Sequence, residues 1–325
     1  MDIGHEKRAA RGPVQSALGM KAYALTAQRR LVTMLRHAAV MLPGVLRSAL
    51  ARRKLDALLR FSANLSFLFN EVPFLERFGE AAHAGFRAVE FAFGYDYQVK
   101  EIAARVAEYK LDVVLINSPP GNSDAGDRGL ASVSGREHEF AASVVTALRY
   151  AQALKCPRVH VMAGVLPEGA DDEERGRRMR TYKRNLRFAC QEAAEQNVTV
   201  LIEPINQRDI PRYLLSTQGE AHAIREEIGM ANLKVQMDLY HAQVVEGDLA
   251  TKIRRWLPHI GHFQIAGVPA RNEPNVGEVN YDYLFKLIDE LKYDGYVGCE
   301  YRPAQTTSAG LGWLYKLIDR KPSAS

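Results

Sequence analysis

Four oxygen-bearing side chains lie at the ends of four successive apolar stretches of the sequence. The stretches are VTVLIEPIN with Glu203, LKVQMDLYH with Asp238, IGHFQIAG with Gln264 and YVGCEYRP with Glu300. Carboxylates are depleted in strands and costly to bury without a partner, so a purely structural role explains them poorly. Three carboxylates and an amide oxygen suit a hard cation such as Mg²⁺ or Mn²⁺ better than Zn²⁺, which favours nitrogen and sulfur donors. The pattern therefore indicates a divalent cation site.

The elements that would position these ligands alternate regularly along the chain. Between residues 60 and 320, strand-like apolar stretches and helical patterns alternate eight times. Such alternation predicts parallel strands joined by right-handed crossovers, and eight units predict an α/β fold, the (β/α)₈ TIM barrel, with its site at the carboxyl ends of the strands. The main alternative, an open doubly wound sheet, normally has a glycine-rich phosphate loop after its first strand. FSANLSFLFNEVP contains no glycine, so we expect the barrel and no nucleotide cofactor.

The charge is distributed unevenly between the first sixty residues and the remainder. Residues 1–60 contain 12 Lys and Arg against 3 Asp and Glu, whereas the remainder is mildly acidic. We interpret residues 1–59 as a basic, helical or partly disordered extension, residues 60–320 as the barrel and residues 321–325 as a tail. We expect the extension to be an added surface helix or hairpin, an upstream extension of a shorter protein, or a segment that binds an anionic membrane or nucleic acid. An acidic barrel is a poor surface for DNA, so no nucleic acid partner is expected.

Composition excludes several other classes of protein. The chain is 47% hydrophobic and 25% charged, as in a soluble globular protein, and no apolar run approaches the roughly 20 residues that span a bilayer. The three cysteines, Cys156, Cys190 and Cys299, are odd in number and far apart. They favour a reducing cytoplasm without a disulfide framework. The sequence leaves a homo-oligomer open.

Several motifs closely resemble those of a known family. LIEPIN, QMDLYH, GHFQIAG and GCEYRP, preceded by RFSANLSFLF, LINSPPG and RVHVMAG, resemble the hydroxypyruvate isomerase family of xylose isomerase-like TIM barrels. The resemblance extends from about residue 60 to residue 318. It implies that Glu203 and Glu300 are a proton donor and acceptor pair that also binds metal, and that Asp238 and Gln264 complete the metal shell.

The resemblance also implies an activity. Hydroxypyruvate would be interconverted with 2-hydroxy-3-oxopropanoate (tartronate semialdehyde) by proton transfer through an enediolate. The nearest alternative is a 2-oxo-tetronate isomerase, which uses the same site on an acid one carbon longer. A remote alternative is an apurinic endonuclease, although such enzymes use several histidines around zinc where this chain has Gln264. A barrel that binds sugar acids without converting them is a third class.

A charged substrate also needs a counter-charge near the site. His241 follows Asp238 by three residues, a spacing that related sugar epimerases use for a substrate-binding histidine. Arg271, in the loop after Gln264, could pair with a substrate carboxylate through its planar guanidinium. Arg208 is a weaker candidate. Glu90 and Asn117, near strand ends, could line the pocket or satisfy internal hydrogen bonds. His160 and His262 lie within strands, and we interpret each as a satisfied interior histidine.

Overall fold

Eight parallel strands form a closed barrel in sequence order. The computed structural model describes residues 59–318, and each strand pairs with its neighbours, with the last strand closing onto the first. The strands are β1 (Arg60–Asn64), β2 (Ala88–Phe91), β3 (Asp112–Asn117), β4 (Arg158–His160), β5 (Thr199–Ile202), β6 (Leu233–Asp238), β7 (Ile260–Ile265) and β8 (Tyr296–Cys299). The predicted (β/α)₈ barrel is therefore confirmed. The predicted extension at residues 1–59, apart from Leu59, and the tail at residues 321–325 lie outside the described residues.

Helices follow the strands as the alternation predicts. They are α1 (Arg77–His83), α2 (Val99–Tyr109), α3 (Glu137–Leu154), α4 (Asp172–Ala194), α5 (Gln218–Ile228), α6 (Leu239–Val245), α7 (Leu249–Trp256), α8 (Tyr281–Glu290), α9 (Thr307–Gly310) and α10 (Gly312–Ile318). Side-chain caps fix several starts, because a cap oxygen accepts an otherwise unpaired N–H of the first turn. Asp171 accepts from Glu174 N at the start of α4, and Thr217 accepts from Glu220 N at the start of α5.

The first strand ends where its sequence predicts. The stretch RFSANLSFLF predicts a strand that ends near Asn64 to Ser66, and β1 ends at Asn64. The Asn64 side chain accepts the N–H of Ser66, and its main-chain oxygen accepts the N–H groups of Phe67 and Leu68. Asparagine stabilises such turns through its own side chain. The chain therefore turns after Asn64, which lies at the carboxyl end of β1.

Strand β7 shows how the barrel separates its two faces. All six of its residues are buried. His262 and Gln264 both hydrogen-bond Glu90 of β2 inside the barrel, whereas the ring of Phe263 packs edge-on against Tyr293 at 4.9 Å. Side chains alternate between the faces of a strand, so alternate residues of an apolar-looking strand reach the interior. The polar groups of the site lie on that interior face.

Two remaining observations concern the chain outside the site. No helix within residues 59–318 is long and apolar enough to cross a membrane. The three cysteines are free and buried, as expected for a chain without a disulfide framework. Burial raises the pKa of the Cys156 and Cys190 thiols to about 12, so both remain protonated at neutral pH.

Candidate active site

The predicted residues meet at the carboxyl end of the barrel. Glu203 directly follows β5, Asp238 is the last residue of β6, Gln264 lies in β7, and Glu300 directly follows β8. A cavity of about 210 Å³ is lined by five of the six predicted site residues, namely Glu203, His241, Gln264, Arg271 and Glu300. The sixth, Asp238, is fully buried, with Oδ2 3.6 Å from His241 Nε2.

Glu203, Asp238 and His241 form a buried cluster with atoms suited to a cation. One ligand atom from each lies within 4.8 Å of the others. Glu203 Oε1 and Asp238 Oδ2 are buried and accept no hydrogen bond from the described residues. A buried carboxylate oxygen without a donor is costly. Two such oxygens in one cluster therefore fit a divalent cation that would be bound by both carboxylates.

The electrostatics of the cluster agree with this fit. Burial and the nearby charges of Glu300 and Asp238 raise the pKa of Glu203 well above its ordinary value. Burial raises the pKa of Asp238 to about 6, against the opposing effect of Arg271. Burial likewise raises the pKa of Glu300 to about 8. The protein thus provides too little positive charge for three ionised carboxylates, and a bound cation would supply the remainder.

Gln264 and Glu300 have protein partners. The Gln264 amide nitrogen donates to Glu300 Oε2 at 2.5 Å and to Glu90 Oε1 at 2.8 Å, while its amide oxygen accepts from Gln236 Nε2 at 2.6 Å. Glu300 also accepts from Asn64 Nδ2 at 2.8 Å and from Arg271 Nη2 at 2.6 Å. The Gln264 oxygen that we predicted as a metal ligand therefore faces Gln236. The shell of four ligands therefore remains a prediction. Of its four residues, Glu203 and Asp238 belong to the buried cluster described above.

Glu90 supports the site from inside the barrel. Its carboxylate is fully buried and accepts from four donors, Ser62, Asn64, His262 and Gln264. Burial alone would raise the pKa of Glu90, but the charge and hydrogen bond of His262 and the other donors lower it. Glu90 is therefore an ionised anchor that orients Gln264 and Asn64, both of which contact Glu300. The sequence placed Glu90 near a strand end but did not distinguish this role from direct contact with substrate.

Asn206 determines how His241 faces the cluster. The Asn206 side-chain oxygen accepts the main-chain N–H of Asp209 at 2.8 Å, so its amide nitrogen faces His241 Nδ1 at 2.6 Å. Burial lowers the pKa of His241 well below its ordinary value, so the ring is neutral. Since Nδ1 accepts, the proton lies on Nε2, which points towards Glu203 and Asp238. His241 therefore offers a hydrogen-bond donor to the cavity.

Arg271 is held between two rings and two carboxylates. Its guanidinium lies 4.8 Å from the centroid of the Phe67 ring and 5.0 Å from that of Tyr240. It donates to Asp209 Oδ2 at 2.9 Å and to Glu300 Oε1. Arg271 therefore orients Glu300. The weaker candidate Arg208 instead donates to the Tyr240 hydroxyl and to Pro269 O, both at 3.3 Å, and is not among the residues lining the cavity.

The remaining candidates differ in their surroundings. His160 is neutral because burial lowers its pKa to about 3, and its Nδ1 lies 3.5 Å from Glu203 Oε2. Neither ring nitrogen of His160 has a hydrogen-bond partner among the described residues, so our interpretation of it as a satisfied interior histidine is not supported. Asn117 lines the cavity. Arg128, in the loop after β3, also lines it, although nothing in the sequence distinguished Arg128 from other loop arginines.

Known proteins share both the sequence and the fold. A family model described as xylose isomerase-like TIM barrel matches residues 78–317. A 2-oxo-tetronate isomerase from Cupriavidus necator is 54% identical over 261 residues, covering 80% of this chain and 99% of the relative. A hydroxypyruvate isomerase from Escherichia coli is 46% identical, covering 79% and 98%.

A solved structure described as an AP endonuclease, family 2, from Brucella melitensis superimposes with a TM-score of 0.77. It is 46% identical to this chain, and the match covers 80% of this chain and 99% of that protein. Its similarity extends across the whole barrel, as does that of the two isomerases. The chain therefore belongs to the xylose isomerase-like TIM barrel family, in the group of hydroxypyruvate and 2-oxo-tetronate isomerases.

Proposed function

We propose that the protein is an intramolecular isomerase that interconverts hydroxypyruvate and 2-hydroxy-3-oxopropanoate. The observation that carries the proposal is the arrangement of two carboxylates, the buried Glu203 and the partly buried Glu300, which line one cavity together with His241 and Arg271. Isomerisation of a hydroxy-oxo acid requires a base and an acid that act on adjacent carbons, and paired carboxylates in a shielded cavity are suited to this.

The two carboxylates have different surroundings and therefore different roles. Glu203 leaves Oε1 for a cation, and its second oxygen, Oε2, which lies 3.5 Å from the neutral His160 ring, takes the proton from the hydroxyl-bearing carbon. The electron pair of that C–H bond then forms the double bond of the enediolate. Glu300, oriented by Arg271 and Asn64, returns a proton to the former carbonyl carbon, while the proton of the hydroxyl group passes to the former carbonyl oxygen, so that the two oxygens exchange roles. His241 Nε2–H is placed to donate to a substrate oxygen as negative charge develops.

A divalent cation, Mg²⁺ or Mn²⁺, fits this assignment. Glu203 and Asp238 would hold it through their unpaired oxygens, with Gln264 and Glu300 as the further proposed ligands. When bound, such an ion would act as a Lewis acid that offsets the negative charge of the reacting oxygens. The carboxylates and the His241 donor provide the proton transfers themselves.

A second substrate, 2-oxo-tetronate, is favoured by a specific observation. The relative named for that activity is 54% identical to this chain, against 46% for the E. coli hydroxypyruvate isomerase. The two acids share the reacting hydroxy-oxo unit and the carboxylate. The same residues would therefore perform the same proton transfer on either acid.

Metal-stripped protein assayed on both acids tests the proposal. We expect activity to be lost with a chelator and restored by Mg²⁺ or Mn²⁺, each added separately. In deuterated water the product should carry deuterium on the receiving carbon. Glu203→Gln should lower kcat by at least about 100-fold, since it removes a general base. Glu290→Gln, at an exposed position of α8, is the matched control. Turnover of neither acid by the metal-restored protein would overturn the proposal.

The same preparation tests the endonuclease alternative, which the description of the B. melitensis structure keeps open. The residues after position 60 carry more acidic than basic side chains, which opposes binding to a DNA backbone. We expect no cleavage of abasic duplex at low salt. As part of this proposal we place the enzyme in the cytoplasm, a compartment supported by its three free, buried cysteines.

A further inference from the structure

The cavity is lined by two arginines with different partners. Arg271 is already engaged by Asp209 and Glu300 and is 90% or more enclosed. Its charge offsets carboxylates of the protein, so little of it remains for an anionic substrate. Arg128 lines the same cavity and is exposed to solvent. This difference makes Arg128 the cation to consider for binding the substrate.

The Arg128 guanidinium has N–H donors that are not used within the part of the protein that the structure describes. Among the described residues, no carboxylate forms an ion pair with the Arg128 guanidinium. Its recorded hydrogen bonds both come from Nη1, to the main-chain oxygens of Ser123 at 3.2 Å and Asp127 at 2.7 Å. Nε and Nη2 remain to donate outwards. A guanidinium that presents two parallel N–H groups binds a carboxylate in a bidentate manner.

The loop holds the backbone of Arg128 in place. The neighbouring Asp127 accepts from Asn122 N at 2.7 Å and from Arg136 Nη1 at 2.9 Å. On its other side, Gly129 adopts φ +113°, and a Cβ there would lie 2.4 Å from Met162 O. Only glycine permits that close approach in that conformation. The structure thus fixes the main chain on both sides of an exposed arginine that lines the cavity.

We infer that Arg128 binds the carboxylate of the substrate and selects hydroxy-oxo acids over neutral hydroxycarbonyl compounds. The inference rests on the proposed isomerase function. The carboxylates Glu203 and Glu300 line the same cavity, and an anionic substrate must be held against their repulsion. Because Arg128 is exposed, a carboxylate bound to it would face solvent and leave the reactive carbons to the two glutamates. The three- and four-carbon acids share the carboxylate, so the inference holds for either.

Kinetics of position 128 variants test this role in metal-restored full-length protein. For Arg128→Gln we expect a KM for hydroxypyruvate raised about 10- to 100-fold, the range for loss of hydrogen bonds to a charged group, with kcat little changed. Arg128→Lys, which keeps the charge but loses the planar fork, should be intermediate. Arg302→Gln is the matched control, because Arg302 is exposed in the loop after β8 and is not among the residues lining the cavity. It should behave as the wild type.

Dihydroxyacetone serves as the neutral probe, because a CH₂OH group replaces the carboxylate on the same carbon skeleton. Its kcat/KM should be unaffected by Arg128→Gln. If the wild-type protein does not convert dihydroxyacetone, the KM and kcat of Arg128→Gln for hydroxypyruvate alone test the inference. An active wild type with an unchanged KM in Arg128→Gln would overturn the inference while the proposed function stands. So would equal losses on both compounds, or a loss confined to kcat. A wild type inactive on both acids would instead overturn the proposed function.

Discussion

At the scale of single residues, the hydrogen bond between Asn206 and His241 determines what the cavity offers a substrate. Neutral histidine presents a donor at one nitrogen and an acceptor at the other, and a partner at Nδ1 selects the tautomer. Asn206 is itself oriented by Asp209 N, so the choice originates in the main chain directly after β5. Glu203 lies three residues earlier in the same segment. One short stretch therefore contains the proposed base, Glu203, and orients the hydrogen-bond donor of His241.

Replacement of Asn206 by Asp tests that coupling. A carboxylate would accept from Nδ1–H, so the proton should leave Nε2 and the donor in the cavity should be lost. We expect kcat/KM to fall about 10- to 100-fold, the usual effect of changing a residue that orients a catalytic group. Nitrogen-15 correlation spectra of the His241 ring should show the proton on Nδ1. Wild-type kcat/KM together with an unchanged tautomer would contradict the assignment.

The sequence predicted part of this site and missed the rest for identifiable reasons. Glu203, Asp238, Gln264 and Glu300 are recognisable because each ends an apolar strand, and barrel geometry brings such ends together. The orientation of the Gln264 amide depends on Glu90 and Gln236, which belong to other strands, so the sequence around Gln264 could not predict it. Arg128 lies in a polar loop whose path is set by contacts of Gly129 with Met162 and Gly164, in the segment after β4. Long-range contacts of this kind leave no local pattern.

At the scale of the elements, strands β2 and β8 reach the site through a close contact between Gly298 and Glu90. A Cβ at position 298 would lie 2.3 Å from Glu90 Oε1. Because Gly298 has no side chain, the buried carboxylate of Glu90 fits in that space. Glu90 in turn orients Gln264 and Asn64 towards Glu300. The absence of a methyl group at position 298 in β8 is therefore linked to the arrangement of the carboxylate proposed to be catalytic.

Gly298→Ala should therefore reduce both stability and activity. We expect the free energy of unfolding in urea to fall by about 1–3 kcal/mol, as for other overpacked cores. The variant should also have a lower kcat, because displacement of Glu90 disturbs its bonds to Gln264 and Asn64. Gly219→Ala is the matched control, since nothing lies within 4 Å of its added Cβ in α5. Its stability should be unchanged or raised by up to about 1 kcal/mol. Equal stability of the two variants would mean that the barrel accommodates the methyl group.

At the scale of the whole molecule, the barrel accounts for the fold and the candidate site without residues 1–58. The eight strands close on one another within residues 59–318, and every residue assigned a role lies in that range. The two named isomerases match the chain over 98–99% of their own lengths, in about 260 residues. In these two relatives, a chain of about that length forms the whole protein.

A variant that begins at residue 59 tests whether the catalytic unit is independent here too. We expect it to fold and to retain metal-dependent kcat/KM within about threefold of the full chain, because no residue with a proposed catalytic or binding role is removed. Deletion of residues 1–58 takes away 11 Lys and Arg and only 3 Asp and Glu, which reverses the sign of the net charge. The shortened protein should therefore lose retention on a heparin column, whereas the full chain is retained and released by salt. Loss of activity at matched ionic strength would instead make the basic segment part of the enzyme.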